Sequence, residues 1–280
     1  MLSNVKRSLL ARKLAGLLVL CGLASCNLEQ NIDVDLPVLP AQLVVECYLE
    51  DGQIPRLTVT ETVPYLSAPD PAVPTDVTVR LTLANGRVET LRFLPGQNAE
   101  TGKFFTHTGL QKLVARPGET FRLEVTDTKG RRVTGTATMP RRIPIDSVQY
   151  EFNSLPPGQR EAYVLTKFQD PVGVGNYYRL QIHRDSISED PEIDYDVEDR
   201  LTDGKQITLG TSYRFDPNDT LLVTLYHFDR PYYLFRQSIN DAQNANGNPF
   251  GQPSSIKSTV EGGVGVFTVL SYQRRQLVIK

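Results

Sequence analysis

Between Val77 and Leu83 apolar and polar positions alternate: Val77, Val79, Leu81 and Leu83 against Thr78, Arg80 and Thr82. A period of two places the two sets on opposite faces of an extended strand. Asn85-Gly86 follows at once, which predicts a type I′ turn closing a hairpin onto residues 87–94. Leu91 and Phe93 fall out of step with Val88, so a bulge is expected between them. Phe121, Leu123 and Val125 alternate again between Pro117-Gly118 and Gly130. Short strands separated by turn signals at this spacing predict a sandwich of the immunoglobulin or transthyretin kind.

Two prolines and two arginines crowd residues 139–146, and the domain boundary is placed there. Beyond it, residues 161–168, 177–183 and 221–228 are rich in Tyr, Val, Leu and Ile, as half-buried strands are. One helix interrupts them. Asp229 suits its N-cap, Pro231 its first turn and Gly247 its end, and Tyr232, Phe235, Ile239 and Ala242 form a stripe at helical spacing, expected to face a sheet. The expected fold is mainly β: an N-terminal immunoglobulin/transthyretin-like β-sandwich over residues 41–142, then a second β-rich domain over 143–280 with one helix near 230–246.

The N-terminus follows another pattern. Lys6, Arg7, Arg12 and Lys13 precede an apolar stretch from Leu14 to Ala24 and then small residues, the layout of a secretory signal peptide spanning residues 1–25. That stretch is about half the roughly 20 residues a membrane-crossing helix needs. Leu23-Ala24-Ser25-Cys26 resembles the bacterial lipobox, which implies cleavage before Cys26 and diacylglycerol on its thiol. Two or three acyl chains, palmitate-like, hold a protein to a bilayer where one is marginal. The expected address is therefore the cell envelope, with the body held to a membrane by lipid. Residues 26–40, punctuated by Pro37 and Pro40, read as a lipidated tether.

Removing residues 1–25 takes four basic residues and no acid, which moves the formal net charge from −2 to −6. No basic face remains to hold a nucleic acid. With Cys21 cleaved away and Cys26 acylated, Cys47 is left as a lone thiol in the strand-like run Leu43 to Leu49, so no internal disulfide is possible and a buried small apolar role is expected.

Catalytic chemistry finds little purchase. His107, His183 and His227 all fall in predicted strands, and none has a second histidine at ligand spacing. The H-E-x-x-H, paired C-x-x-C, G-x-S-x-G and P-loop patterns are absent, so the common zinc, serine-hydrolase and nucleotide signatures fail. The acidic run from Glu189 to Asp199 reads as a solvated loop. Asp194, Asp196, Glu198 and Asp199 are its candidate ligands for calcium, a cation that takes six to eight oxygens. No catalytic residue, metal or cofactor is expected beyond the covalent lipid on Cys26.

Several segments together resemble a family of Bacteroidota lipoproteins catalogued as a domain of unknown function, number four-two-four-nine. They are Ile32 to Pro37, Leu43-Val44-Val45-Glu46, Pro144 to Val148, Asp170-Pro171, Asn176 to Leu180, Asn248 to Gly251 and Glu261 to Phe267. The resemblance implies an outer-membrane setting, because such proteins are often encoded beside TonB-dependent receptors. The reading that follows is a membrane-anchored, non-enzymatic binding or interaction module accessory to such a receptor or uptake system. A secreted hydrolase with its site at the domain junction or in the acidic stretch, and a structural or adhesive envelope protein, are the competing readings.

Overall fold

The computed structural model describes residues 40–64, 68, 70–173, 175–245 and 255–280; Cys26 and Gly247 lie outside them. The chain is mainly β, with fifteen strands and one helix among the described residues.

The first layers are built by β1 (Leu43–Glu50), β2 (Arg56–Glu61), β3 (Val77–Thr82), β4 (Val88–Gln97), β5 (Phe104–Thr108), β6 (Thr120–Asp127) and β7 (Arg132–Thr138). Their alternation is clean: Leu43, Val45, Cys47 and Leu49 are buried while Val44, Glu46 and Tyr48 turn outward. β4 changes partners along its length, pairing with β3 through Val88 to Leu91 and with β5 from Arg92 onward. That switch folds the ribbon over, so that Val45 and Leu57 meet Phe121, Leu123 and Val133 in one core. A fully buried side chain such as Phe121, 1% exposed, contributes roughly 1.5–3 kcal/mol relative to leaving it in water.

Two local expectations need correction. The β3–β4 hairpin forms, but only Gly86 has positive φ, at 82°, and its N–H donates to the Leu83 carbonyl at 2.9 Å. The turn is therefore centred on Ala84-Asn85 with Gly86 as the left-handed residue after it, the longer hairpin geometry rather than type I′. The bulge also lies later, between Phe93 and Gly96; Val88 is out of step because it faces solvent at the hairpin end.

The second set comprises β8 (Ile145–Phe152), β9 (Ala162–Gln169), β10 (Tyr177–Arg184), β11 (Ile193–Glu198), β12 (Gln206–Gly210) and β13 (Thr220–Phe228). β12, β9 and β8 form a three-stranded sheet, and β11, β10 and β13 extend the long one. Their shared core holds Phe168, Tyr178, Leu180, Phe215 and Leu225. After helix α1 (Arg230–Ala245) come β14 (Val260–Glu261) and β15 (Val264–Val278).

β15 joins the two sets. Its first half runs parallel to β1 and its second half antiparallel to β13. Phe267 and Val269 enter the first core and Leu277 packs on the second, so odd positions face both cores and even positions face the opposite side. The junction expected at 142/143 falls between β7 and β8, and β14 and β15 return across it. Residues 40–280 form one compact unit, and no described helix is long and apolar enough to cross a membrane.

Candidate functional site

The side of the long sheet away from its cores carries the densest chemistry. Period-two geometry turns Tyr177, Arg179, Gln181 and His183 of β10 toward that side, because Tyr178, Leu180 and Ile182 occupy the core. Cross-strand register then aligns Asp196, Arg179, Tyr226 and Tyr272 in one row, and Asp194, Gln181, Thr224 and Arg274 in the next. Tyr48 and Glu50 of β1 stand opposite Thr268 and Leu270 and continue the surface.

α1 closes one end. The Asp229 carboxylate accepts the Tyr232 N–H at 3.1 Å, capping the helix as expected. Tyr232 and Phe235 pack on Tyr177, Phe228, Val266 and Leu270, with Ile239 partly buried beside them. The stripe thus faces the sheet, and Tyr232 meets Tyr48 edge-on at 6.0 Å.

Charge is distributed unevenly over this face. Arg179 holds Asp194 through two hydrogen bonds of 2.6 Å, the strong forked geometry of guanidinium and carboxylate. Arg236 of α1 reaches Asp196 at 2.8 and 3.0 Å. Lys103, by contrast, places its ammonium 5.0 Å from the centre of the Tyr48 ring, and the Arg274 guanidinium lies 5.2 Å from that of Tyr272. Arg274 Nε donates to Thr224 Oγ1 at 2.8 Å. Among the described residues neither cation has a carboxylate within ion-pair distance.

Enclosure acts on these groups. Burial pushes the Glu50 carboxyl above its ordinary value, and Arg274 and Lys103 pull it partly back. Burial also lowers the Lys103 ammonium, helped by Arg179, although the residue stays exposed to solvent. Tyr226, in the same surroundings, is pushed up to about 12 by burial. A cleft of about 460 Å³ opens at Arg274, Tyr272, Leu270 and Asp51, and another of about 420 Å³ lies over Asp194, Asp196 and Arg236.

The acidic run is not a loop at its centre. Residues 193–198 form β11 at the sheet edge, with Ile193 in the core and Asp194, Asp196 and Glu198 on the outer face. Asp194 and Asp196 meet arginines, Glu198 is exposed, and Asp199 turns inward to accept from Asn176 Nδ2 at 3.1 Å. Of the four expected ligands, Asp194 and Asp196 thus converge on Arg236, at 3.5 and 2.8 Å, while Asp199 turns to the other side.

Asp199 instead approaches Asp170 and Asp203, with ligand atoms within 4.8 Å of one another. Asp170 there accepts the Tyr178 hydroxyl and the Gly204 N–H, the latter at 2.8 Å. These bonds tie the loop after β9 to the turn before β12. His227, stacked on Tyr178 at 5.2 Å, abuts the same network through Asn176.

The glycine cluster near the C-terminus, the most distinctive stretch of the sequence, forms the bend between β14 and β15. A model of the domain of unknown function DUF4249 matches residues 29–276. The chain belongs to the DUF4249 family. Comparison with curated proteins returns no match. Among solved structures, this DUF4249 chain aligns with "Cytokine receptor complex - Crystal form 1A" at 12% identity, covering 84% of this chain and 96% of the other, with a TM-score of 0.26.

The residues that sequence reasoning missed in this DUF4249 protein are Tyr48, Lys103, Arg179, Arg236 and Arg274. They come from four strands or strand ends and a helix. The available signal was parity: once Tyr178, Leu180 and Ile182 are assigned inward, Arg179 and His183 must share the other face.

Proposed function

We propose that this protein is a membrane-anchored envelope lipoprotein whose body, residues 40–280, is a non-enzymatic binding module accessory to an outer-membrane receptor of the TonB-dependent kind. The observation that carries the binding reading is the outer face of the long sheet, where Lys103 and Arg274 stand over tyrosine rings with no carboxylate within ion-pair distance among the described residues. Such groups are oriented yet retain their hydrogen-bonding capacity, the state that suits capture of a ligand. Leu23-Ala24-Ser25-Cys26 supports the anchor, and the family's gene setting supports the receptor.

The test is made in the native host. Metabolic labelling with an alkynyl palmitate should tag the wild type and not Cys26→Ala, and mild cross-linking of the labelled membranes should recover a β-barrel receptor. Label persisting in Cys26→Ala would remove the anchor. Cross-linked membranes yielding the protein alone would remove the accessory role.

A further inference from the structure

We propose that the cleft where the linker after β7 crosses β15 is a binding site for a phosphoryl group, received by Arg142 and Arg274. The inference rests on the binding-module reading and names a ligand class for it.

The cleft, about 460 Å³, is lined by both arginines together with Tyr272, Gln273 and Asp51. Among the described residues the Arg142 guanidinium has no hydrogen-bond or ion-pair partner. Arg274 donates through Nε to Thr224 Oγ1 at 2.8 Å and has no carboxylate within ion-pair distance. Guanidinium nitrogens donate and never accept. Gln273 commits its side-chain carbonyl to the Ile145 N–H, which leaves its amide nitrogen to donate.

The linker that carries Arg142 is fixed before any ligand arrives. On one side the Arg141 carbonyl accepts from His227 Nδ1 at 2.8 Å, and on the other Ile143 is buried in the second core. Arg275 Nη1 donates to the Asp146 carbonyl at 3.3 Å and ties the same linker to β15. Donors held in place in this way lose less freedom on binding. Met139 and Leu270, 6% and 7% exposed, wall the cleft with apolar surface, and low-dielectric walls concentrate the field of the arginines.

The donor set selects the class. The one acid of the lining, Asp51, is held by the Ala115 N–H at 2.9 Å. Glu50 lies within electrostatic reach of Arg274 but does not line the cleft. Two positive charges against one negative, with an amide and a phenol beside them, suit an anion rich in acceptors. The guanidiniums come from two segments of the chain, so each can take different oxygens. A phosphoryl group presents its oxygens tetrahedrally, whereas a carboxylate holds its pair in one plane and one fork satisfies it.

The full chain in detergent is titrated calorimetrically at pH 7 with inorganic phosphate, with acetate, and with glycerophosphoglycerol, a phosphodiester that carries a lipid headgroup without acyl chains. A phosphoryl probe should bind at least about ten-fold tighter than acetate, the size of one charge-assisted hydrogen bond. Phosphate binding alone assigns the cleft to free phosphate and its monoesters; the diester binding as tightly assigns it to a lipid headgroup. Arg142→Gln and Arg274→Gln should each weaken that probe by about ten-fold. Asp51→Asn, whose amide carbonyl can keep the Ala115 bond, should strengthen it, and Arg160→Gln, whose guanidinium lies over Phe152, should change nothing.

Neither phosphoryl probe binding better than acetate would overturn the proposal. So would unchanged phosphoryl affinity in folded Arg142→Gln and Arg274→Gln. If Arg274→Gln fails to fold by circular dichroism, Arg142→Gln decides, since Arg142 is exposed on the linker. Receptor cross-linking that survives while both phosphoryl probes fail would leave the module reading standing and remove only the ligand class. Phosphoryl binding without a cross-linked receptor would keep the cleft and remove the accessory role.

Discussion

Gly265 of β15 packs directly against the Val45 carbonyl of β1, so that a Cβ built on it would collide with that oxygen. The two residues are paired in the parallel ladder, and Gly265 has φ of 127°. Side-chain-bearing residues avoid that region. Gly265→Ala should therefore destabilise the fold by more than about 3 kcal/mol, combining backbone strain with a clash that only strand separation relieves. Urea unfolding monitored by circular dichroism measures it, and a loss under about 1 kcal/mol would show that the ladder tolerates a shift.

Asp194 and Arg179 form a partly buried pair. Burial works against the Asp194 charge, but the Arg179 hydrogen bonds outweigh it and hold the carboxyl below its ordinary value of 3.8. A carboxyl so depressed stabilises the fold above the unfolded value and ceases to do so as pH falls through the folded one. Asp194→Asn should cost about 1–2 kcal/mol at pH 7, between an exposed and a fully buried pair. The difference from wild type should shrink as pH drops below 3.8. Paired denaturation curves across that range test the convergence.

Cys47 is 1% exposed, and burial raises its thiol to about 12. The nucleophile is the thiolate, so native protein at pH 8 should leave Cys47 unmodified by iodoacetamide, and denatured protein should label it fully. Peptide mass spectrometry separates this site from other cysteines. Rapid native labelling would contradict the closed core around β1.

His107 lies in β5 with Phe93 edge-on at 5.3 Å. Burial lowers its imidazole below the ordinary 6.5, against an opposing hydrogen bond to the Val77 backbone. Burial likewise lowers His183 and His227. A histidine with a depressed folded value binds its proton more readily in the unfolded chain, so stability present above 6.5 is lost as pH falls toward the folded value. The unfolding free energy should decline from pH 7 to pH 5, and His107→Gln should flatten part of that slope. An NMR titration placing His107 above 6.5 would reverse the sign.

Local grammar made much of the fold legible. Thr78, Arg80 and Thr82 alternate with Val77, Val79 and Leu81, and Asp229 caps the helix its neighbours imply. The acidic run was harder because its acids were counted together. Ile193 and Val197 mark the alternate face, but the partners that make Asp194 and Asp196 part of a sheet are Arg179 and Arg236, one strand and one helix away. The candidate site was less legible still. Lys103 and Arg274 acquire meaning only when β15 brings Tyr272 beside Tyr226 and the β4–β5 hairpin swings Lys103 over Tyr48. Such juxtapositions depend on long-range pairing, which leaves no mark in a short window of sequence.

The shared strand also sets an order of events. A nascent chain carries β1 with one edge unfilled until β15 has been made, because among the described residues β15 is the strand that occupies it, and pairings this distant in sequence form slowly. Every intermediate before that moment presents an open ladder to its neighbours, a surface prone to mispairing between chains. The ladder on β1 is thus completed only by β15, so a nascent chain remains pliable until that distant strand has been made and docked.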